Sequence, residues 1–264
     1  MSGSLPQRDR LLDAALAAAD VAGCIVRPFF RVGVAADDKA DQSPVTIADR
    51  SAERAIRAVL GERLPEHGIM GEEFGLERAG ASYRWVIDPV DGTRAFLTGR
   101  PTFGTLIALL HDGVPVLGVI DQPITGERWI GIRGERTRYV SSFPGQAGTR
   151  ACPALDRAEL SCTSPEILEG AYRARWDRLS RAVKRTSWGG DCYAYGLLAL
   201  GQVDVIAECT MKPWDWAALV PVIEGAGGSV TDWAGRPLRL DGDGTVLALG
   251  NPALLSPVRD LLAD

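Results

Sequence analysis

The chain has 264 residues, of which 46% are hydrophobic and 24% charged. At a nominal ~150 residues per domain that length suits one large domain or two closely joined ones, and the composition excludes a disordered or fibrous chain. The formal net charge of −5 leaves no basic field to hold a polyanion, so the expected partner is a small molecule and not a nucleic acid.

Residues Pro6 to about Phe30 read as an amphipathic helix, with Leu11, Leu12, Ala15, Leu16 and Ala19 at helical spacing. A polar, acidic stretch from Asp37 to Pro44 follows. Thr46-Ile47-Ala48-Asp49 has the form of a capping box. It opens a second helix with Ala48, Ala52, Ala55, Ile56, Val59 and Leu60 on one face, ending near Gly61 and Pro65. Gly68 to Glu73 is short and carries two glycines. Tyr83 to Asp88 is an apolar run ending in an acid, predicted as a buried strand. Thr102 to Leu110 and Val114 to Ile120 are predicted strands joined by the hairpin turn His111-Asp112-Gly113. Ile124 to Ile132 is expected to pair next.

Residues 134–158, rich in Gly, Pro, Ser, Thr and Arg, place a soft boundary that divides 1–145 from 146–264. The second part alternates helix and strand. Helices are predicted over Gly190–Gly201 and Trp214–Gly225 and after Asn251-Pro252. Strands are predicted at Val203–Ala207, Gly227–Thr231 and Thr245–Leu249. Such alternation indicates an α/β layered arrangement, with an α+β first half.

The five cysteines are scattered, without a C-x-x-C pair, which disfavours a disulfide framework or a structural zinc site and favours a reducing cytoplasm. His67 and His111 are too few for a site of three histidines, and both read as loop or turn residues. The first twenty residues lack a signal-peptide pattern, and no apolar run approaches the ~20 residues that span a bilayer. The expectation is a cytoplasmic chain without membrane contact, working with carboxylates, hydroxyls and backbone groups.

The most informative stretch is Trp85-Val86-Ile87-Asp88-Pro89-Val90-Asp91-Gly92-Thr93. An apolar strand runs into two aspartates three residues apart. Pro89 prevents simple continuation of a central strand, because proline has no ladder N–H, and Gly92 allows a sharp turn. Two carboxylates forced together repel unless a cation lies between them, and oxygen-only ligation suits Mg²⁺. The same pentapeptide also reads as a plain turn. Gly71-Glu72-Glu73 and Trp214-Asp215-Trp216 add acids. Taken alone, Glu72-Glu73 reads as an exposed pair, and Asp215 and Asp49 read as helix-capping acids.

Together these segments resemble the inositol monophosphatase-like family of Mg²⁺-dependent, lithium-sensitive phosphatases. The resemblance rests on Ser43-Pro44-Val45-Thr46 with Asp49, Gly71-Glu72-Glu73, Trp85 to Thr93, Trp214 to Ala218, and Glu224-Gly225-Ala226-Gly227-Gly228, in the family's order. It implies a layered α-β-α-β-α sandwich, usually a homodimer, with two or three Mg²⁺ ions per active site. Glu72, Asp88 and the carbonyl of Val90 resemble the ligands of one metal, and Asp88, Asp91 and Asp215 those of a second. Glu72 also fits a third, looser site. Asp49 resembles the acid that bonds the motif threonine, Thr93. The expected catalytic group is Glu72 and Thr93 orienting water, with Asp49 behind. The backbone N–H groups of Gly92 and Thr93 are expected to hold phosphate.

Within the family, Arg94-Ala95-Phe96 departs from the inositol phosphatases, and Trp188-Gly189-Gly190-Asp191-Cys192-Tyr193-Ala194-Tyr195-Gly196 resembles the histidinol-phosphatase branch. The resemblance implies that Gly189, Gly190, Asp191 and Glu208 face the alcohol part of the substrate. Histidinol phosphate is cationic on that side, which suits two acids. Asp191 also reads as a helix N-cap and Glu208 as an exposed strand-end acid. Trp188, Trp214 and Trp216 read as packing residues, and Arg181, Lys184 and Arg185 as a solvated helix face. The expected activity is histidinol-phosphate hydrolysis. Inositol 1-phosphate, nucleotide 3′-phosphate or fructose-bisphosphate hydrolysis, or a non-catalytic regulatory relative, are the alternatives.

Overall fold

The computed structural model describes Leu5, residues 7–38 and residues 44–263. The segment Lys39–Ser43, part of the predicted polar stretch and of the first family motif, lies outside the described residues.

In chain order the elements are α1 (Arg8–Val26), β1 (Ala36–Asp38), β2 (Pro44–Thr46), α2 (Ile47–Arg63), β3 (Gly68–Gly71), β4 (Gly75–Glu77), β5 (Tyr83–Asp91), α3 (Thr93–Leu97), β6 (Gly104–His111), β7 (Val114–Gln122), β8 (Glu127–Ile132) and β9 (Arg138–Val140). There follow β10 (Glu159–Cys162), α4 (Ala171–Ala182), β11 (Arg185–Trp188), α5 (Asp191–Leu198), β12 (Val205–Glu208), α6 (Pro213–Trp216), α7 (Leu219–Gly225), β13 (Ser229–Thr231), β14 (Val246–Leu249) and α8 (Leu255–Leu262). Among the described residues the strands form a seven-stranded sheet, β4-β3-β5-β6-β7-β8-β9, a five-stranded sheet, β11-β10-β12-β14-β13, and the small β1-β2 pair.

Three apolar clusters separate five layers. The first joins α1 and α2 to one face of the large sheet, through Leu12, Ala15, Ile56, Trp85, Ile87, Ile107 and Leu109. The second fills the centre, where Val86, Leu106 and Ala108 from the large sheet meet Leu198 and Val222 from α5 and α7, and Ile206 and Ala248 from the smaller sheet. The third seals the outer face of the smaller sheet under α4 and α8, through Val205, Leu247, Trp176 and Val258. Side chains alternate faces along a strand. Both faces of the central strands are covered here, which is why they read as unbroken apolar runs. This is the layered α-β-α-β-α sandwich that the family resemblance implied.

Most predicted elements are present with shifted ends. The hairpin after β6 closes His111 against Val114, with Asp112 and Gly113 both at positive φ (49° and 81°) as a two-residue loop of this type needs. The predicted helix over Trp214–Gly225 is two helices, α6 and α7. Pro221 has no N–H to bond the carbonyl of Ala217, so one continuous helix would lose a ladder bond there. The restart suits the packing, because Gly118 and Gly131 form a cross-strand pair on which the backbone rests. A Cβ on Gly118 would sit 2.1 Å from the Ala218 carbonyl, and one on Gly131 2.3 Å from Pro221. The predicted basic helix face is also corrected. Arg181 belongs to α4, whereas Arg185 lies on β11 and is paired with Glu159. His67 lies in the loop between α2 and β3, as expected, but is buried there and stacks on Tyr83 at 5.1 Å.

Candidate metal-dependent active site

The site forms where β3 and β5 end side by side. Their parallel register pairs Gly71 with Ile87, so the next residues, Glu72 and Asp88, emerge together. Strand β5 continues past Pro89, but its register against β6 breaks between Asp88 and Asp91. Proline therefore sits in a bulge, where it costs no ladder bond. The bulge is satisfied locally. Asp88 Oδ1 accepts the N–H of Val90 at 2.9 Å, and the buried hydroxyl of Thr105 donates to the carbonyl of Pro89 at 2.8 Å. The turn reading of this pentapeptide takes the form of an Asx turn, which orients Asp88 within the bulge.

Asp215 arrives on α6, whose first residue is Pro213, with its carboxylate accepting the Lys212 N–H at 2.7 Å. One carboxylate oxygen each from Asp88, Asp91 and Asp215 lies within 4.8 Å of the others. Burial raises the carboxyl of Asp88 well above the usual range, and the charges of Glu72, Asp91 and Asp215 raise it further. Burial pushes Asp215 up to about 7, again with a contribution from Glu72. Burial also raises Asp91 well above its ordinary value, helped by Asp191 and Asp215. Three carboxylates thus converge, with Glu72 near enough to disfavour the ionisation of Asp88 and Asp215, and a hard divalent cation removes that conflict. The donors are all oxygens, which fits such a cation.

Behind this cluster, Asp49 is almost fully buried and closes the predicted capping box. Its Oδ2 accepts the backbone N–H of Thr46 at 3.0 Å and the Thr46 hydroxyl. Its Oδ1 lies 3.2 Å from the hydroxyl of Thr93, which is also 3.2 Å from the Val90 carbonyl. Burial raises the Asp49 carboxyl. Gly92 has φ 88° and would place a Cβ 2.7 Å from Cγ of Asp191, so the position needs glycine on both counts.

Asp191 is the first residue of α5, with φ 44°, a strained value for a residue with a side chain. It does not cap its helix: Gly190 is the N-cap, and the cap bond comes from Asp91, which accepts the Cys192 N–H. Burial and then Glu208 push Asp191 up to about 6, while Arg100 and Arg94 pull the other way. Glu208 ends β12 and is buried, not exposed as its strand-end position allowed. Its two oxygens accept the Thr163 N–H and the Tyr195 hydroxyl. Among the described residues neither Asp191 nor Glu208 forms an ion pair. Gly189 and Gly190 both have positive φ and lead into α5. Trp216 is buried, but Trp188 packs one face on Trp176 at 4.6 Å and leaves the other exposed.

Sequence reasoning missed Glu53, Thr105, Thr163 and Tyr195, which bond the site segments from behind. Glu53 carried the only visible signal, an acid one turn after Asp49 beside the apolar stripe of α2.

Residues 7–260 match the sequence model of the Inositol monophosphatase family. The chain belongs to this family. It is 49% identical over 230 residues to the bifunctional phosphatase IMPL2, chloroplastic, of Arabidopsis thaliana, a match covering 86% of this chain but 66% of the plant protein, just under two thirds of its length. It is 37% identical over 239 residues to a histidinol-phosphatase of Chlorobaculum parvum, covering 90% of this chain and 91% of that one. A solved inositol monophosphatase from Zymomonas mobilis superposes with a TM-score of 0.88 at 47% identity, covering 98% and 99% of the two chains. The protein is a phosphatase of the inositol monophosphatase family, a metal-dependent group, and its converging acids are of the kind such chemistry requires. Among the described residues no helix is long and apolar enough to cross a membrane.

Proposed function

We propose that this phosphatase hydrolyses L-histidinol phosphate to L-histidinol and phosphate with Mg²⁺ bound at the acid cluster. The observation that carries the substrate is the pair Asp191 and Glu208. Asp191 lies against Gly92, Glu208 is near enough to raise the carboxyl of Asp191, and among the described residues no basic side chain forms an ion pair with either. Histidinol phosphate brings an ammonium and a protonatable imidazole to that region, and each charge-assisted bond there is worth ~1.5–3 kcal/mol. The likeness to the Chlorobaculum histidinol-phosphatase supports this reading.

Glu72, Asp88, Asp91, Asp215 and the Val90 carbonyl would hold the metal. When bound, Mg²⁺ supplies positive charge against the phosphoryl oxygens and lowers the pKa of water at the site. Glu72 and Thr93 orient the attacking water, and Asp49 takes the proton of the Thr93 hydroxyl into a hydrogen bond, leaving a Thr93 lone pair to receive the water. The backbone N–H groups of Gly92 and Thr93, at the start of α3, bind the phosphoryl oxygens and keep phosphorus in line with the water. Asp191 and Glu208 bind the cationic alcohol.

The likeness to the Zymomonas enzyme favours inositol 1-phosphate as a second reading. Measuring kcat/KM for histidinol phosphate, inositol 1-phosphate and glycerol phosphate under one set of conditions separates them. We expect histidinol phosphate to lead by at least about tenfold, a difference of ~1.4 kcal/mol. A lead for the inositol ester would overturn the assignment.

A further inference from the structure

Residues 49, 53 and 57 of α2 are spaced one helical turn apart and share a face. Asp49 serves Thr93 as described. Glu53 is fully buried. Its Oε2 accepts the N–H of Glu73 at 2.8 Å, and its Oε1 accepts the N–H of Phe74 at 3.1 Å and Nε of Arg57 at 2.8 Å. Arg57 reaches on to the Gly75 carbonyl at 2.5 Å and to Glu77 at 2.9 Å. The backbone of Gly71 lies against the same carboxylate, and a Cβ there would be 2.1 Å from Glu53 Oε1. Two consecutive turns of α2 therefore hold residues 73–75 of the connection between β3 and β4, directly after Glu72.

The grip has a physical reason. Glu72 is pressed toward Asp88 and Asp215, whose charges repel it. A short turn without restraint would swing Glu72 outward. Closing a hairpin requires no buried charge, and an apolar residue would do so without the desolvation cost of a carboxylate. A buried acid that accepts two adjacent backbone N–H groups fixes the orientation of that peptide as well as its position.

We propose that Glu53, held by Arg57, is a positioning residue that keeps Glu72 at the acid cluster and so sets the affinity of the site for divalent cations. The inference rests on the reading that Glu72 is a metal ligand. Partners behind ligands of this kind change metal affinity by about 10–100-fold when altered.

The test uses the full chain, stripped of metal and titrated with Mn²⁺, a hard divalent probe whose free fraction is read by electron paramagnetic resonance. Glu53→Gln places an amide N–H₂ against a backbone N–H. Gly71→Ala leaves every charge in place but displaces the Glu53 carboxylate. Both variants should weaken Mn²⁺ binding by ~10-fold or more, raise the Mg²⁺ concentration for half-maximal phosphate release to match, and leave KM at saturating Mg²⁺ within about twofold. Folded variants that bind Mn²⁺ within twofold of wild type would overturn the proposal. So would a lower melting temperature of metal-free Glu53→Gln with unchanged Mn²⁺ affinity, the signature of plain packing. Should Glu53→Gln fail to fold, Gly71→Ala decides by the same criteria. A wild-type chain that binds no Mn²⁺ and releases no phosphate would instead refute the reading of the site itself.

Discussion

The carboxylate of Asp91 accepts a 2.6 Å hydrogen bond from the backbone N–H of Cys192, although the two residues are 101 positions apart in sequence. One acid thereby serves two purposes. It stands in the acid cluster with Asp88 and Asp215, and it caps the helix whose first residue is Asp191. The side chain of Asp91 thereby joins the end of β5, in the first half of the chain, to the start of α5 in the second.

Removing any one acid of the cluster should disable turnover without unfolding the chain. Glu72→Gln, Asp88→Asn and Asp215→Asn each relieve repulsion in the metal-free protein, so the fold should persist by circular dichroism. Phosphate release should fall on the order of 10³-fold, the scale expected when several kcal/mol of electrostatic stabilisation are lost. A variant turning over within about tenfold of wild type would remove that residue from the site.

Stability should depend on pH in opposite senses with and without metal. Burial raises Asp215 from 3.8 to about 7, and Asp88 and Asp91 move in the same direction. The folded metal-free chain thus holds protons that the unfolded chain has released. The stability these groups contribute is complete below pH ~4 and is lost as pH rises through about 7. Bound Mg²⁺ needs the ionised forms, so its effect grows over the same range. The rise in Tm on adding Mg²⁺ should be small at pH 5 and large at pH 8. A rise independent of pH would contradict the burial of these acids.

Asp191→Asn and Glu208→Gln should raise KM for histidinol phosphate by about tenfold or more, since each removes an ionic partner worth ~1.5–3 kcal/mol. KM for the neutral alcohol of glycerol phosphate should change much less. Paired steady-state measurements check this, and equal effects on both esters would mean that the two acids act structurally.

Thr105→Val tests the bulge. The substitution keeps the shape of a side chain that is 1% exposed and removes the donor to the Pro89 carbonyl. A buried acceptor left unmatched costs about 1–3 kcal/mol. Chemical denaturation should report a loss of that size, with Mg²⁺ binding weakened because the bulge aims Asp88 and Asp91. No change in midpoint would show that the bond contributes nothing.

Much of this was legible in the sequence because the decisive features are local. The run into Asp88-Pro89-Val90-Asp91-Gly92 signals a strand, its interruption at Pro89 and a turn in nine residues, and Thr46 to Asp49 states its own capping box. The region 159–188 was harder to read. Helix α4 buries only Trp176 and Leu179, and β11 is a largely exposed edge, so neither shows a strong period. The cap on α5 was illegible in principle, since its acceptor comes from Asp91 and no neighbour marks it. Glu53 was passed over because an acid on a helix normally faces water. The break between α6 and α7 could have been read from Pro221, but the run of apolar residues around it masked the proline.

The central claim is that distant acids converge to hold divalent cations on which hydrolysis depends. Phosphate release from histidinol phosphate by the chelator-treated enzyme, followed as Mg²⁺ is restored, tests it most directly. Release should be negligible without Mg²⁺ and recover saturably with it. Undiminished release in the presence of chelator, or none at any Mg²⁺ concentration, would contradict the claim.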